Sequence, residues 1–581
     1  MSSQTVAAPG AVRRASDWIG TAHGRVAALR PLYVLSALLA TQWVALAILA
    51  VTVRHNGWIY YMGGDQLWHY SSGYLLAHRE LPPTLVGYGW ATLLAPITWF
   101  TGPDLVNALP VIVLLNTLVL LPVALLAMYG IGARLGGRVF GYWVTLLWVL
   151  LPYFGIVYAL HGYHQKYTEL TLPQVLGLGA MSDFPSVVAL MVAAYLCLRA
   201  IDELRWHWAA AAGFGVGCTI AIKPSNTVFV IAPLLLFAIY RRRALVPGFL
   251  GSLPPLIVLT FWKVRGYGNL PAFAHAGPVR RVALGSGGIF GPFDKYTGGN
   301  SWTQLHNNLL QLREWFWSDR LLEFAVVGGL IVLLVRNRRA GIFVGVWFFA
   351  FLLLKGTYLN SRVEDATFWR LMLPAFPAFV LLLASIPAAF PGVRFLQRRV
   401  VASRTPRWAV IATVATAAVL FVLFPFTLIA AAKPIHLSRL SSVELGATLV
   451  PVPGNFATAA TPEPNGVLLQ WRPMTSKFGR TFYRVFRAPP SAGLICNPSG
   501  SCSPAPLDVQ CRQSTRAPDR CTYPLSAIQT LGSTRESAWL DRPPVGTWIY
   551  RIGVAANWLD DPSQGDVYVL GPPVQITVPK R

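Results

Sequence analysis

Apolar residues in this chain come in long unbroken runs, not with the period of 3.6 or 2 that marks a half-buried helix or strand. The first run covers residues 33–53. Others fall near 105–130, 139–158, 183–199, 207–222, 226–240, 246–262, 321–335, 340–354, 371–389 and 408–431. Apolar runs close to 20 residues long span a bilayer as helices, so the pattern predicts about eleven spans. A shorter run, WATLLAPITWF at 90–100, reads as an interfacial or re-entrant piece. Beyond residue 433 the pattern changes: proline, serine and threonine rise, and apolar residues begin to alternate. GVLLQWRPM (466–474), FYRVFRAP (482–489), TWIYRIGVAANW (547–558) and DVYVLGPPVQITV (566–578) read as strands. Short alternating strands over roughly 120 residues predict a β-sandwich. The expected fold class is an α-helical polytopic membrane protein with a C-terminal β-sandwich.

Composition sharpens this picture. Of the 581 residues, 54% are hydrophobic and only 12% charged, about half the charged share of a soluble protein. The net charge of +25 would suggest nucleic acid in a soluble chain. Here the basic residues sit in short loops between apolar runs, which points to membrane lipids and to basic loops on the cytoplasmic side. Arg13, Arg14, Arg25 and Arg30 precede the first run, so residues 1–32 read as a cytoplasmic tail without a cleavable signal peptide. Residues 33–432 then form the membrane domain, with external loops 54–88, 159–182, 263–320 and 355–370, and residues 433–581 lie outside the cytoplasm. Richness in Ala, Arg, Gly and Pro, without a retention signal, suggests a bacterial plasma membrane. Cys197 and Cys218 fall in apolar runs. Cys496, Cys502, Cys511 and Cys521 cluster in the polar part and are candidates for two disulfides. Their spacing has no paired CxxC units, which argues against zinc.

Few acids lie near the expected membrane boundaries, and an acid there is a functional hypothesis by default. Asp65 comes first, in YYMGGDQLWHY, behind Gly63 and Gly64. A carboxylate at that place suits a general base; it also suits the N-cap of a helix starting at Gln66. Asp183 opens the run MSDFPSVVALMV and suits the cap of a helix, with Pro185 in the first turn. Lys223 ends GFGVGCTIAIKPSN, a compact charge at a helix end, where a snorkelling lysine is the plainer reading. Arg362 and Arg370 offer bidentate phosphate contacts, with an ion pair of Arg362 to Glu364 or Asp365 as the plainer reading. His161 and His164 have metal-ligand spacing, but with Glu169 they make a thin set, and hydrogen bonds to a sugar or head group suit them better. Tyr60, Tyr61, Trp68, Tyr70 and Tyr74 read as an interfacial belt or as stacking surfaces. The glycines of 285–301 read as a gating loop, and the phosphate-loop, nucleophile-elbow and HExxH motifs are absent.

One span, then an external loop with an acid, then many spans and a polar C-terminal domain resembles the GT-C superfamily of membrane glycosyltransferases. The resemblance implies a polyprenyl-phosphate-linked sugar donor and no nucleotide cofactor, with no metal called for. It implies that Asp65 is the catalytic acid of the first external loop; the next acid here is Glu80. Asp183 would bind substrate or support Asp65, Lys223 would meet lipid phosphate, and Arg362 or Arg370 would serve the late external loop. The acceptor would be a glycan, lipid or protein of the cell envelope, and the sugar a hexose or pentose. A transporter of lipid-linked sugars is the competing class; it predicts internal repeats, and none is visible in the sequence. The C-terminal part resembles a fibronectin type III domain: Trp471 and Tyr483 match its core, and LDRPPVGTWIY (540–550) resembles its tyrosine corner. That likeness implies binding or scaffolding.

Overall fold

The computed structural model describes residues 20–52, 65–82, 86–103, 105–159, 163–164, 167–267, 301–315, 319–359, 361–364, 367–390, 393, 395–396, 407–435, 458–473, 480–489, 494–496, 502–504, 529–557, 569–570 and 574–579. Every predicted apolar run falls on a helix. Among the described residues, eight helices are long and apolar enough to cross a membrane, which makes this a multi-pass membrane protein. They are Pro31–Leu49, Ala108–Gly136, Arg138–Val157, Asp183–Glu203, Arg242–Gly266, Arg338–Gly356, Thr367–Ala389 and Ala412–Ala431. Two shorter apolar helices, Trp206–Ile222 and Pro224–Tyr240, lie between the fourth and fifth of these. Helix Asp319–Arg336 covers the remaining predicted run.

Two loop boundaries move. The helix expected to end at residue 262 continues through Tyr267, because FWKVRGY contains no breaker before Gly266, and Lys263 is buried inside it. Lys355, expected to open an external loop, is the penultimate residue of helix Arg338–Gly356 and is also buried. The run at 90–100 becomes helix Tyr88–Thr101, buried along Tyr88, Trp90, Ala91, Leu94 and Ala95. Small residues set the closest helix contact. A Cβ at Gly213 would strike the Gly248 backbone, and one at Gly251 the Ala210 carbonyl. Helices Trp206–Ile222 and Arg242–Gly266 therefore meet backbone to backbone, as small residues allow in membranes.

The loop expected to be the first external one holds helix α1, Asp65–Ala77. Gly73 seats α1 on the neighbouring helix: a Cβ there would lie 2.8 Å from the Ala91 carbonyl oxygen. Tyr70, buried at mid-helix, hydrogen-bonds Thr101 at 2.8 Å and the Gly102 carbonyl, so it belongs to the core and not to a stacking surface. Just after α1, strand β1 (Glu80–Leu81) pairs in parallel with β2 (Lys433–Pro434). The Lys433 amide donates to the Arg79 carbonyl at 2.8 Å, and Arg79 adopts a left-handed φ of 59°. The end of the last membrane helix is thereby tied to the helix that carries Asp65. Arg265 holds the same end by donating to the carbonyls of Ile429, Ala430 and Ala432.

The C-terminal part contains two sheets. One has the order β3 (Thr458–Glu463), β4 (Gly466–Trp471), β9 (Ala538–Asp541). The other joins β5 (Arg480–Ala488), β8 (Gln529–Thr534), β10 (Gly546–Asn557), β11 (Val569–Leu570) and β12 (Val574–Val578). One hydrophobic cluster takes residues from both: Val467, Leu469 and Trp471 from the first, and Tyr483, Val485, Tyr550 and Ile552 from the second. Alternation along β4 buries Val467, Leu469 and Trp471 on one face, as period 2 requires. Asp541 links the sheets, accepting from Arg487 at 2.9 Å and from the Tyr550 hydroxyl at 2.6 Å. The last predicted strand, 566–578, holds two short strands, β11 and β12, and residues 571–573 between them lie outside the described residues. A small hairpin pairs β6 (Leu494–Cys496) with β7 (Cys502–Pro504), with Cys496 and Cys502 in register. Cys511 and Cys521 lie outside the described residues, while Cys197 and Cys218 are buried and free.

Candidate functional site

Four of the predicted residues, from four distant parts of the sequence, meet at one end of the helical domain. Asp65 is the first residue of α1 and Asp183 the first residue of helix Asp183–Glu203. Lys223 stands between helices Trp206–Ile222 and Pro224–Tyr240, and Arg370 lies in the first turn of helix Thr367–Ala389. Arg370 Nη2 donates to Asp65 Oδ2. Arg370 Nε donates to Asp183 Oδ2 at 3.2 Å. Lys223 Nζ donates to Asp183 Oδ1. The result is one chain of alternating charge, Asp65–Arg370–Asp183–Lys223, with two acids and two cations.

Exposure grades along this chain. The Asp183 side chain is 0% exposed, Lys223 13%, Arg370 22% and Asp65 37%. Both oxygens of Asp183 are held by cations, and Asp65 is the more exposed of the two acids. The helix-cap reading of Asp183 fails: the N-cap position belongs to Ser182, whose side chain makes no cap bond, and the Asp183 carboxylate turns to Lys223 and Arg370. The snorkelling reading of Lys223 fails for the same reason, since its ammonium folds inward onto a buried carboxylate.

His69 stands one turn beyond Asp65 on α1 and is 2% exposed. Burial pushes its imidazole down to about 4, against a smaller upward pull from Asp65 and Asp183; Arg370 and Lys223 also lower it. At neutral pH it is uncharged. Lys355 is buried within electrostatic reach of Lys223 and adds a third cation to this end of the domain. At the other end of helix Asp183–Glu203, Arg134 pairs with Asp202 at 3.1 Å and Glu203 at 3.0 Å, and Arg199 stacks over Trp208 at 3.5 Å. Twenty-one helical residues cover about 30 Å, the thickness of a bilayer's apolar core, so the two charged clusters mark its two faces.

No family model matches the sequence, and no curated protein matches it. Among solved structures, the chain is similar to the archaeal oligosaccharyltransferase AglB from Archaeoglobus fulgidus, solved in complex with an inhibitory peptide and a dolichol-phosphate. The TM-score is 0.41 and the sequence identity 13%, over 69% of this chain and 56% of that one. The chain therefore spans little more than half the length of that protein.

Arg362 is not in the cluster. It is exposed, and its backbone amide donates to Thr367 Oγ1 at 2.9 Å. His164 is half-buried, and its carbonyl accepts from Thr168 at 2.9 Å. His161, Gly63, Gly64, Tyr60, Tyr61, Asp365 and the glycines of 285–300 lie outside the described residues. Among the described residues, no group of three or more His, Cys, Asp or Glu side chains is placed to hold a metal ion; Asp65 and Asp183 are joined by a guanidinium instead.

Sequence reading missed the frame that positions Arg370. Tyr163 stacks on Trp315 at 4.6 Å, accepts from Trp369 Nε1 at 2.9 Å, and donates to the Val363 carbonyl at 2.6 Å. Asn308, fully buried, donates to the carbonyls of Ser361 at 2.7 Å and Gly356 at 3.2 Å and accepts from the Val363 amide at 3.3 Å. Three segments distant in sequence are thereby fastened into one wall beside Arg370. Polar residues within WTQLHNNLLQLREW were the available signal, because a buried Asn must have backbone to bind.

Proposed function

We propose that this protein is a membrane glycosyltransferase that moves a hexose or pentose from a polyprenyl-phosphate donor to a hydroxyl acceptor. The observation that supports this reading best is the chain Asp65–Arg370–Asp183–Lys223, with its reachable acid at one end and a buried acid holding both cations. The lipid enters sideways from the bilayer, and its phosphate is met by Lys223 and Arg370. Asp65 takes the proton of the acceptor hydroxyl as that oxygen attacks the anomeric carbon from the face opposite the phosphate. The bond from anomeric carbon to phosphate oxygen breaks, its electron pair leaves with the phosphate, and the configuration inverts. The phosphate is a good leaving group, so a nucleotide is not needed.

With the N-terminus in the cytoplasm, this site faces the extracytoplasmic side of a bacterial plasma membrane. The C-terminal sheets are then a fibronectin type III-like domain on the same side, where oxidising conditions suit disulfides among Cys496, Cys502, Cys511 and Cys521. That domain holds or positions a glycan, lipid or protein of the cell envelope. The test is Asp65→Asn in purified enzyme with a labelled polyprenyl-phosphate sugar. Transfer should fall by at least ~100-fold while folding is kept. Transfer at the parental rate sinks the mechanism, and lipid moving across vesicles with no product formed favours a transporter.

A further inference from the structure

Beside the charge chain lies a second set of polar side chains that the mechanism above does not use. Gln66 and His69 lie on α1, one and four residues after Asp65. With 3.6 residues per turn, His69 sits about 40° around the helix from Asp65, and Gln66 about 60° from His69. Asn226 follows Lys223 by three residues, and its backbone amide donates to the Lys223 carbonyl at 2.9 Å, so it is fixed within one turn of that lysine. Gln66 and Asn226 are 0% exposed and His69 2%. Among the described residues, both amide atoms of Gln66, both amide atoms of Asn226 and Nδ1 of His69 have no hydrogen-bond partner. His69 lies within electrostatic reach of Asp65, Asp183, Arg370 and Lys223, which places it against the charge chain itself.

Buried polar groups in a folded protein are almost always paired, and each exception calls for an explanation. Leucine, methionine or phenylalanine would fill the same volumes without that cost, and a polar ligand would supply the partners that the described residues do not. Its chemistry follows from the atoms on offer. Each carboxamide brings two donor hydrogens and an acceptor oxygen, and a neutral imidazole brings one donor and one acceptor. A phosphate accepts only and would leave the amide oxygens unpaired. An isoprenoid chain would satisfy none of them. A hydroxyl both donates and accepts, and a ring bearing several hydroxyls matches the set.

We propose that Gln66, His69 and Asn226 form the subsite that recognises the hydroxyls of the donor's sugar, next to the base and the phosphate-facing cations. The proposal rests on the glycosyltransferase reading, and it names specificity-determining residues that the charge chain does not supply.

The test measures binding to the full-length protein in lipid nanodiscs. The probes are bare polyprenyl phosphate, the same lipid carrying a pentose or a hexose, and a free disaccharide. The parent protein should bind one sugar-bearing lipid at least about tenfold more tightly than the bare lipid. Gln66→Ala, His69→Ala and Asn226→Ala should each remove about 3- to 10-fold of that advantage, the worth of one or two hydrogen bonds, and leave bare-lipid affinity unchanged. Gln66→Leu and His69→Phe keep the volume and should read the same way should an alanine variant fail to fold. Equal binding of bare and sugar-bearing lipids by the parent, or an advantage that survives the substitutions, overturns the subsite. Loss of affinity for the free disaccharide alone assigns these residues to the acceptor and overturns it too. A parent that binds none of the lipids overturns the transferase reading beneath it.

Discussion

Asp183 is the residue on which the site's order depends, and replacing it by asparagine tests that claim. The Asp183 carboxylate is fully buried and accepts from both Lys223 and Arg370. Asparagine keeps the shape and removes the charge. In the parent the two acids and two cations sum to zero; in Asp183→Asn they sum to +1, and Lys223 has lost the carboxylate onto which it folds. Removing one partner of a buried pair costs about 3–5 kcal/mol, because the other charge stays in a poorly solvating place. The residual exposure of Lys223 and Arg370 lets water relieve part of this, so we expect about 3 kcal/mol. Asp183→Asn/Lys223→Gln restores neutrality and can keep a hydrogen bond between two amides. It should lie within about 1 kcal/mol of the parent, since neutral replacement of a buried pair is often tolerated. The coupling in the double-mutant cycle is then about 2 kcal/mol or more. The assay is thermal unfolding in detergent at one scan rate, followed by tryptophan fluorescence, since membrane proteins of this size unfold irreversibly. A single variant several degrees below the parent, rescued in the double, is the expected result. If the double variant is destabilised by the sum of the two singles, the ion pair is not what holds this end of the domain together.

Protonation of His69 should weaken the fold in mild acid. Its folded value of about 4 lies below the ordinary 6.5, so between those values the unfolded chain binds more protons, and stability falls as pH drops from 6.5 toward 4. The loss reaches roughly 3 kcal/mol at the bottom of that window, and His69→Gln should remove one proton's worth of slope from unfolding midpoints measured across it. Asn308→Ala deletes two donors and an acceptor that fix the 356–363 backbone; it should cost about 2–3 kcal/mol and speed limited proteolysis in that segment. Gly213→Val would drive a side chain into the Gly248 backbone; a loss of at least 1–3 kcal/mol in detergent unfolding is expected from overpacking of that order, and an unchanged midpoint would mean the two helices do not touch there.

The parts of this molecule that the sequence disclosed are those written in local chemistry. Runs of apolar residues near 20 long must become helices in a bilayer, since no other spanning element satisfies its own backbone. Alternation in GVLLQW could only mean a strand with one buried face. Asp65, Asp183, Lys223 and Arg370 stood out for the same reason: charge is rare in such a chain and costly at its boundaries. Their connectivity was not legible. Arg370 read as a phosphate anchor, yet in the fold it bridges Asp65 and Asp183, which lie 305 and 187 residues away in sequence. Pairing at that range depends on which helix ends converge, and only packing decides that. Gly213, in the glycine-rich run before Lys223, serves close approach to a facing helix, which the sequence did not announce. Gln66, His69 and Asn226 carried no signal at all, because an uncharged polar residue near a loop is ordinary in sequence and becomes informative only when it is buried. The same burial gives the cluster its logic. In the proposed mechanism, a cation shared by two acids keeps the more exposed acid aligned without substrate, and a lipid phosphate that competes for Arg370 would release Asp65 in the same event that brings the sugar. Base and leaving group would then be switched by one guanidinium, which ties the order of binding to the order of chemistry.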